Sequence, residues 1–131
     1  MRFRRAIGAQ SSVRVFADIK KKHSSHAITA DVDIADTAKA AEYFLADGVI
    51  VTGAATGCEA DETAVARVHK AVHIPVLVGS GCTPENASRY LSVCDSLIVG
   101  SYFKENGFWE NPVIPSRVKA FMDAVHEFRK C

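Results

Sequence analysis

The sequence has no apolar run close to the roughly 20 residues that a membrane-spanning helix requires, because Gly, Asp or Lys interrupts its longest apolar segments. It also has no large excess of charge, with 16 Lys and Arg against 15 Asp and Glu and a formal net charge of +1. Such a balance creates no overall field that would favour nucleic acid or an anionic membrane, so we expect neither partner. With 131 residues, 48% of them hydrophobic, the chain is predicted to be one soluble globular domain.

The sequence has few cysteines and no C-x-x-C pair, so it offers neither a zinc knuckle nor a disulfide framework. Its cysteines are far apart in the chain, at Cys58, Cys82, Cys94 and Cys131. We expect reduced thiols in a cytoplasmic protein, and we interpret Cys82 as a packing residue because no histidine is placed to activate it. His23 and His26 supply neither a ligand count nor a geometry for a metal, so no metal and no cofactor is predicted.

The first 17 residues contain no acid and are rich in arginine, as mitochondrial transit peptides are. The same segment has the features of a helix end, with Arg4 and Arg5 in its last turn and Gly8 as a C-terminal cap. We favour the helix, because strand-like sequence begins by Val13 and leaves little room for a removable segment. A mitochondrial location is expected only if a longer upstream form carries a transit peptide.

Four segments have the pattern of strands, the first alternating apolar and polar residues and the others forming short apolar runs. They cover residues 13–19, 48–52, 75–78 and 96–99. A segment with helical spacing follows each strand, and Asp33, Asp61 and Thr83 are expected to cap the first three helices. The last helix is predicted to begin at Pro115. Its inward residues are predicted to be Val118, Phe121, Met122, Val125 and Phe128.

Four strand and helix units predict a parallel sheet with right-handed crossovers, in which ligands bind at the loops after the strands. Two architectures fit this order, a small doubly wound sheet and half of a (β/α)8 barrel, which needs about 250 residues for all eight units. Two adjacent strands that both end in Gly-Ser favour the barrel, since many such barrels have paired phosphate loops after strands seven and eight. The prediction is an α/β fold of the (β/α)8 TIM-barrel type with four βα units.

The strand at residues 75–78 runs into a glycine turn and then a helix start, an arrangement that suits a bound anion. The glycines let the backbone approach the ligand, and the helix leaves its first N–H groups free. The next strand also ends in Gly-Ser. We therefore predict phosphate binding by Gly79, Ser80, Gly81, Gly100 and Ser101. The alternative is a pair of tight turns in which the glycines serve backbone geometry alone.

Four stretches together resemble the BtpA family, although each alone is a weak signal. They are residues 17–26, 52–57, 78–86 and 98–101. The resemblance extends over essentially the whole chain, residues 1–131, and implies the C-terminal half of a phosphate-binding barrel, its strands five to eight. Residues 4–8 are similar to the end of the family's fourth helix. The absence of the first four strands suggests an alternative start, a splice product or an incomplete gene model.

Asp18 and Lys20 fall on one strand face if the first strand continues past residue 19. A barrel places its chemistry at this end of its strands, so we predict that the two residues are a catalytic acid–base pair. His23, Thr52 and Gly53 are predicted to contact the substrate. The alternative is a solvent-exposed basic loop after the strand, which we favour for Lys21 and Lys22.

The family resemblance implies no settled reaction, since the family is named for a role in photosystem I accumulation in cyanobacteria. Three hypotheses follow. The first is an enzyme acting on a phosphorylated small molecule, the second a non-enzymatic assembly or stability factor, and the third a truncated product without activity. The open edges of a half barrel further predict a homo-oligomer or other self-association.

Overall fold

The computed structural model describes residues 2–21 and 24–130. Within them the elements are α1 (Arg2–Ala6), β1 (Phe16–Ile19), α2 (Ile34–Tyr43), β2 (Gly48–Thr52), α3 (Glu62–Ala71), β3 (Val76–Gly79), α4 (Pro84–Leu91), β4 (Ser96–Ile98) and α5 (Pro115–Phe128). Short 3₁₀ turns lie at Ala27–Thr29, Ser101–Phe103 and Glu105–Gly107. None of the helices in this part of the chain is long and apolar enough to cross a bilayer.

The helices begin at the polar residues predicted to cap them. The Asp33 carboxylate accepts a hydrogen bond of 2.8 Å from the Ala35 N–H, and α2 follows. The Asp61 carboxylate accepts one of 3.0 Å from the Thr63 N–H at the start of α3. Thr83 precedes α4, whose first residue is a proline. These caps satisfy N–H groups that lack partners within the helix, and the three predicted helix starts are confirmed.

The four strands form one parallel sheet in the order β1-β2-β3-β4. Asp18 lies opposite Ile50, Ile50 opposite Leu77, and Leu77 opposite Ser96. A doubly wound domain would reverse its strand order at a switch point, whereas a (β/α)8 barrel keeps the order of the chain. The predicted barrel-type fold with four βα units is confirmed. That these units correspond to strands five to eight of a family barrel stays a prediction.

One face of the sheet is covered by the helices and forms the core. Four valines of β2 and β3 are fully buried on it: Val49, Val51, Val76 and Val78. The helices contribute Ala38, Val65, Val68, Ala87, Tyr90, Phe121 and Val125 to the same cluster. This burial of β-branched and aromatic side chains is the main favourable term in the fold.

The opposite face of the sheet has no helix over it among the described residues. Phe16 at one edge and Ile98 at the other are each 43% exposed on this face, and Ile50 and Leu77 between them are half-buried. In a closed barrel this face would be the interior, which side chains fill.

Two details of the predicted elements are wrong. The first strand begins at Phe16 rather than at residue 13, because the N–H of Val15 donates to the Asp47 carboxylate at 2.7 Å instead of joining the strand pairing. On α5, Met122 and Phe128 are 38% and 36% exposed rather than inward. The helix buries a narrower stripe than predicted, since it packs on α4 and leaves its other side uncovered.

Candidate functional site

The carboxyl ends of the four strands meet at one edge of the sheet, and the turn after β3 has an unusual backbone there. Ser80 and Gly81 follow each other with φ angles of +75° and +68°. Left-handed backbone is natural for glycine and strained for serine. Such strain is often held at functional sites, where the surrounding structure imposes the conformation.

Gly81 also makes a close approach to the loop after β2. A Cβ atom built on it would lie 2.6 Å from the carbonyl carbon and oxygen of Cys58 and 2.7 Å from the Glu59 nitrogen. Gly81 thus combines a positive φ with a close approach to another loop. The crowding that a side chain would cause there is with protein backbone.

A cavity of about 290 Å³ opens between the ends of β3 and β4. It brings together Gly81, Gly100 and Ser101 from the predicted phosphate set. The rest of its lining is Gly57, Cys82, Thr83, Tyr102, Gly107 and Arg117. The N-terminus of α4 therefore faces a concave space that a small anion can enter.

The other two residues of the predicted set lie elsewhere. Ser80 lines a neighbouring cavity of about 280 Å³, which shares Gly100 and Ser101 with the first and adds Thr56, Ile98, Lys104 and Trp109. Gly79 is buried at the end of β3, where an added Cβ would be 3.0 Å from Cγ2 of Ile50. Gly79 thus leaves room for a side chain of the neighbouring strand β2. It is not part of either cavity lining.

Arg117 is the cation of the first cavity, and the sequence did not indicate it. Its Nη1 donates to the carbonyl of Lys104 at 2.5 Å and to that of Tyr102 at 3.3 Å. Its guanidinium lies 6.0 Å from the centroid of the Tyr102 ring. Among the described ion pairs none involves Arg117. The arginine sits in the first turn of a helix far along the chain, where sequence alone gives no signal for a ligand contact.

Cys82 lines the first cavity but is not poised as a nucleophile. Burial raises the pKa of its thiol to about 11, and the nearby Cys94 and Glu59 add to the effect. A thiol of that pKa stays protonated near neutral pH. The interpretation of Cys82 as a packing residue fits this environment.

A buried asparagine joins the two loops beneath the cavity. Asn86 is 2% exposed, and its amide nitrogen donates to Glu59 at 3.0 Å and to the Gly81 carbonyl at 2.8 Å. Its side-chain oxygen accepts from the Thr83 N–H at 2.8 Å. The bonds to Thr83 and Gly81 fix the turn after β3, and the bond to Glu59 joins this turn to the loop after β2. Asn86 therefore holds the residues that line the cavity in position, although it does not line the cavity itself.

A separate cavity of about 500 Å³ lies at the ends of β1 and β2. It brings together Lys20, Thr52 and Gly53 of the predicted site residues. The rest of its lining is Ser24, His26, Ile34, Val51, Ala54, Glu59, Asp61 and Ala64. Thr52 Oγ1 is buried and has no hydrogen-bond partner among the described residues, as expected for a hydroxyl that a ligand would engage.

The predicted acid–base pair does not share a strand face. β1 ends at Ile19, and Lys20 has a φ of +46°, so the alternation of the strand stops before Lys20. Lys20 Nζ donates to the Thr29 carbonyl at 3.0 Å at the rim of the larger cavity. Asp18 is exposed on the uncovered face, in register with Ile50, and does not line that cavity.

His23, a predicted substrate contact, and Lys22 lie outside the described residues. Across residues 2–21 and 24–130, no three His, Cys, Asp or Glu residues are grouped to hold a metal ion. In the larger cavity, hydrogen bonds from the hydroxyl and backbone N–H of Thr63 lower the pKa of Asp61. That carboxylate is thus an anion engaged in capping α3.

The sequence profile of the BtpA family matches residues 1–127. An uncharacterised mitochondrial protein of Caenorhabditis elegans is 42% identical over 130 residues, which are 99% of this chain and 46% of that protein. The photosystem I biogenesis protein BtpA of Synechocystis is 33% identical over 128 residues, 97% of this chain and 44% of the relative. The chain spans about half the length of these curated relatives.

Two solved structures share the fold. The native KDPGal structure gives a TM-score of 0.68 at 18% identity. That match covers 98% of this chain and 54% of the KDPGal chain. The (S)-3-O-geranylgeranylglyceryl phosphate synthase of Thermoplasma acidophilum, solved with its substrate sn-glycerol-1-phosphate, gives 0.63 at 20% identity. That match covers 93% of this chain and 53% of the synthase. At such identities the likeness concerns the fold alone.

Proposed function

The chain belongs to the BtpA family, and from that membership we propose that it forms the phosphate-binding part of a barrel enzyme acting on a phosphorylated small molecule. The observation that carries the proposal is Arg117. Arg117 lines the same cavity as Gly81, Gly100 and Ser101, and among the described residues its guanidinium has no carboxylate partner. An arginine that binds only carbonyls and faces a helix N-terminus favours an anionic ligand.

The surroundings of Arg117 add a partial positive charge and a hydroxyl donor for an anion. The charge comes from the dipole of α4, whose first N–H groups are themselves bonded: the Thr83 N–H donates to Asn86 Oδ1 at 2.8 Å and the Asn86 N–H to the Thr83 carbonyl at 3.3 Å. Ser101 offers a hydroxyl at the end of β4. A cavity of about 290 Å³ holds a phosphate and part of its organic group. The solved synthase with a barrel of the same type contains a phosphorylated three-carbon substrate, which supports this ligand class by analogy.

We assign the chemistry to the ends of β1 and β2. Thr52 offers a buried hydroxyl, and Lys20 lies at the rim of the same cavity of about 500 Å³. Asp18 stands on the uncovered face of the sheet, which corresponds to the interior of a closed barrel, and we assign it to the chemistry from that position. In a full-length family member with measurable turnover, Asp18→Asn should lower kcat by about 10² to 10⁴ and leave the unfolding midpoint nearly unchanged.

A titration with inorganic phosphate tests the binding site. We expect millimolar phosphate to shift the backbone amide resonances of residues 81–83 and 100–102 and of Arg117. Arg117→Met should weaken the binding, and Arg117→Lys should restore part of it. Arg129→Met is the matched control, because Arg129 is an exposed arginine at the far end of the same helix. Phosphate that shifts other amides and leaves these unchanged would overturn the assignment.

A non-enzymatic assembly factor is the second candidate, and an apolar surface favours it. Near the amino-terminal end of β1, a cavity of about 460 Å³ has a mostly apolar lining with one cation, Arg5. The rest of its lining is Ala17, Ala41, Leu45, Ala46, Phe44 and Tyr43, which is 80% exposed. Apolar surfaces of this kind commonly bind other proteins. The Synechocystis relative is named a photosystem I biogenesis protein, which agrees with such a role. Recovery of a stoichiometric protein partner, with no turnover on a panel of phosphorylated metabolites, would favour it over the enzyme.

A further inference from the structure

We propose that the ligand carries a second acidic group besides its phosphate, and that Lys104 binds this group in the neighbouring cavity. The inference rests on the proposed phosphate site at Arg117. The two cavities, of about 290 and 280 Å³, are adjacent, since Gly100 and Ser101 line both of them. A small molecule anchored in one can therefore reach into the other.

The charges of the two cavities point to the class of ligand. One is lined by Arg117 and the other by Lys104, and neither lining contains an Asp or Glu. The cavity at the ends of β1 and β2 differs, since Glu59 and Asp61 line it together with Lys20. Two cations that face a shared segment, without carboxylates between them, complement a molecule with two anionic groups.

Lys104 is not an ordinary surface lysine. It is only partly exposed, and among the described residues its ammonium group has no carboxylate within ion-pair distance. Its backbone is held on both sides, since its N–H donates to Ser101 at 3.0 Å and its carbonyl accepts from Arg117 at 2.5 Å. The bond from Arg117 to the Lys104 carbonyl keeps the two cationic residues side by side, so a ligand with two anionic groups can engage both.

The rest of the second cavity fits the carbon skeleton of such a ligand. Ile98 and Trp109 contribute apolar surface, and the Trp109 ring is largely exposed at the mouth. Ser80 and Thr56 place hydroxyl groups in the lining. The ligand class is thus a phosphorylated small molecule with a carboxylate or a second phosphate close to its carbon chain.

Two probes with the same three-carbon skeleton test the inference. Glycerol 3-phosphate and 3-phosphoglycerate differ in that the second has a carboxylate where the first has a hydroxymethyl group. We expect calorimetry to show about tenfold tighter binding of 3-phosphoglycerate, the effect of one charge-assisted contact at a partly exposed site. The affinities of fructose 1,6-bisphosphate and fructose 6-phosphate give the same comparison for a second phosphate in place of a carboxylate.

Variants separate this inference from the phosphate site itself. Lys104→Met should abolish the preference for 3-phosphoglycerate and leave the affinity for glycerol 3-phosphate unchanged, whereas Lys104→Arg should keep the preference. Lys70→Met, which removes an exposed lysine of α3, should change neither affinity. Equal binding, at residues 100–102, of the probes with one and with two acidic groups would overturn the inference and leave the phosphate site standing. Failure of every probe to shift the amides of residues 81–83 and 100–102 would overturn both.

Discussion

The Asn86 amide donates a hydrogen bond of 3.0 Å to the Glu59 carboxylate, and the same nitrogen donates one of 2.8 Å to the Gly81 carbonyl. One buried side chain therefore sets the relative position of the loops after β2 and β3. Because the cavity of about 290 Å³ lies where these loops meet the end of β4, its shape depends on a residue that lines none of it.

Replacing Asn86 should destabilise the protein. Asn86→Leu leaves the part-buried Gly81 carbonyl and Thr83 N–H without their side-chain partner, so we expect a loss of about 1 to 3 kcal/mol in the free energy of unfolding. Urea titration followed by circular dichroism measures it. Ser88→Ala, an exposed change on the same helix, should stay within about 0.5 kcal/mol of the wild type. Equal stability of the two variants would contradict the role given to Asn86.

Replacement by alanine should lower the stability of the protein at one glycine of the predicted phosphate set and leave it unchanged at another. At Gly81 a methyl group would meet the Cys58 backbone at 2.6 Å in a left-handed conformation, so Gly81→Ala should cost about 1 to 3 kcal/mol of stability. At Gly100 a Cβ would find no heavy atom within 4 Å, so the same change should be tolerated. Thermal unfolding of both variants checks the pair, and a stable Gly81→Ala variant would show that the loops can separate.

Stability should fall at acid pH through Asp47. Hydrogen bonds from Arg4, then from the Val15 N–H and from Arg14, lower the pKa of Asp47 to about 2. An unfolded aspartate has a pKa of about 3.9, so this carboxylate stabilises the fold above about pH 4 and loses that effect as the pH falls through 2. Asp47→Asn should flatten the pH dependence of the unfolding free energy between pH 4 and 2. Asp123→Asn, at an exposed ion pair on α5, should leave that slope unchanged.

The 131-residue chain, expressed alone, should self-associate. The strands β1 and β4 have no further strand partner among the described residues, and Phe16 and Ile98 expose apolar surface beside these edges. Unpaired edges and uncovered apolar faces promote association. Light scattering during gel filtration should show a dimer or larger species, which Ile98→Ser shifts towards monomer. Ile28→Ser, an exposed change in the turn after β1, is the control, and a wild-type monomer with cooperative unfolding would contradict the prediction.

Local patterns predicted most of the fold. The strand Gly48–Thr52 was predicted at its observed bounds, and the caps at Asp33, Asp61 and Thr83 were found because capping depends on residues within one turn. The first strand was predicted too long because the competing bond from Val15 to Asp47 joins residues 32 positions apart. A pattern within one segment cannot reveal such a partner.

The site was predictable only where its residues are neighbours in the chain. The Gly-Ser ends of β3 and β4 marked the edge at which the cavities lie, but Arg117 and Asn86 were missed. Arg117 meets the cavity because α5 folds back over the end of β4, and Asn86 meets Glu59 across 27 positions. Arginine and asparagine on helices are usually exposed to solvent, so the sequence predicts no contacts for Arg117 and Asn86. Their contacts arise only from tertiary packing.

The sequential order of the sheet also has a kinetic meaning. Each strand pairs with the next one in the chain, so every pairing closes a loop of moderate length, and the loop between β3 and β4 is the shortest. Closing about 19 residues instead of about 32 saves roughly 0.5 kcal/mol of chain entropy, which favours early formation of this pair during folding. The two strands whose ends bound the cavities lined by Arg117 and Lys104 would then be the first to pair, and pulse-labelled hydrogen exchange should protect their amides before those of β1.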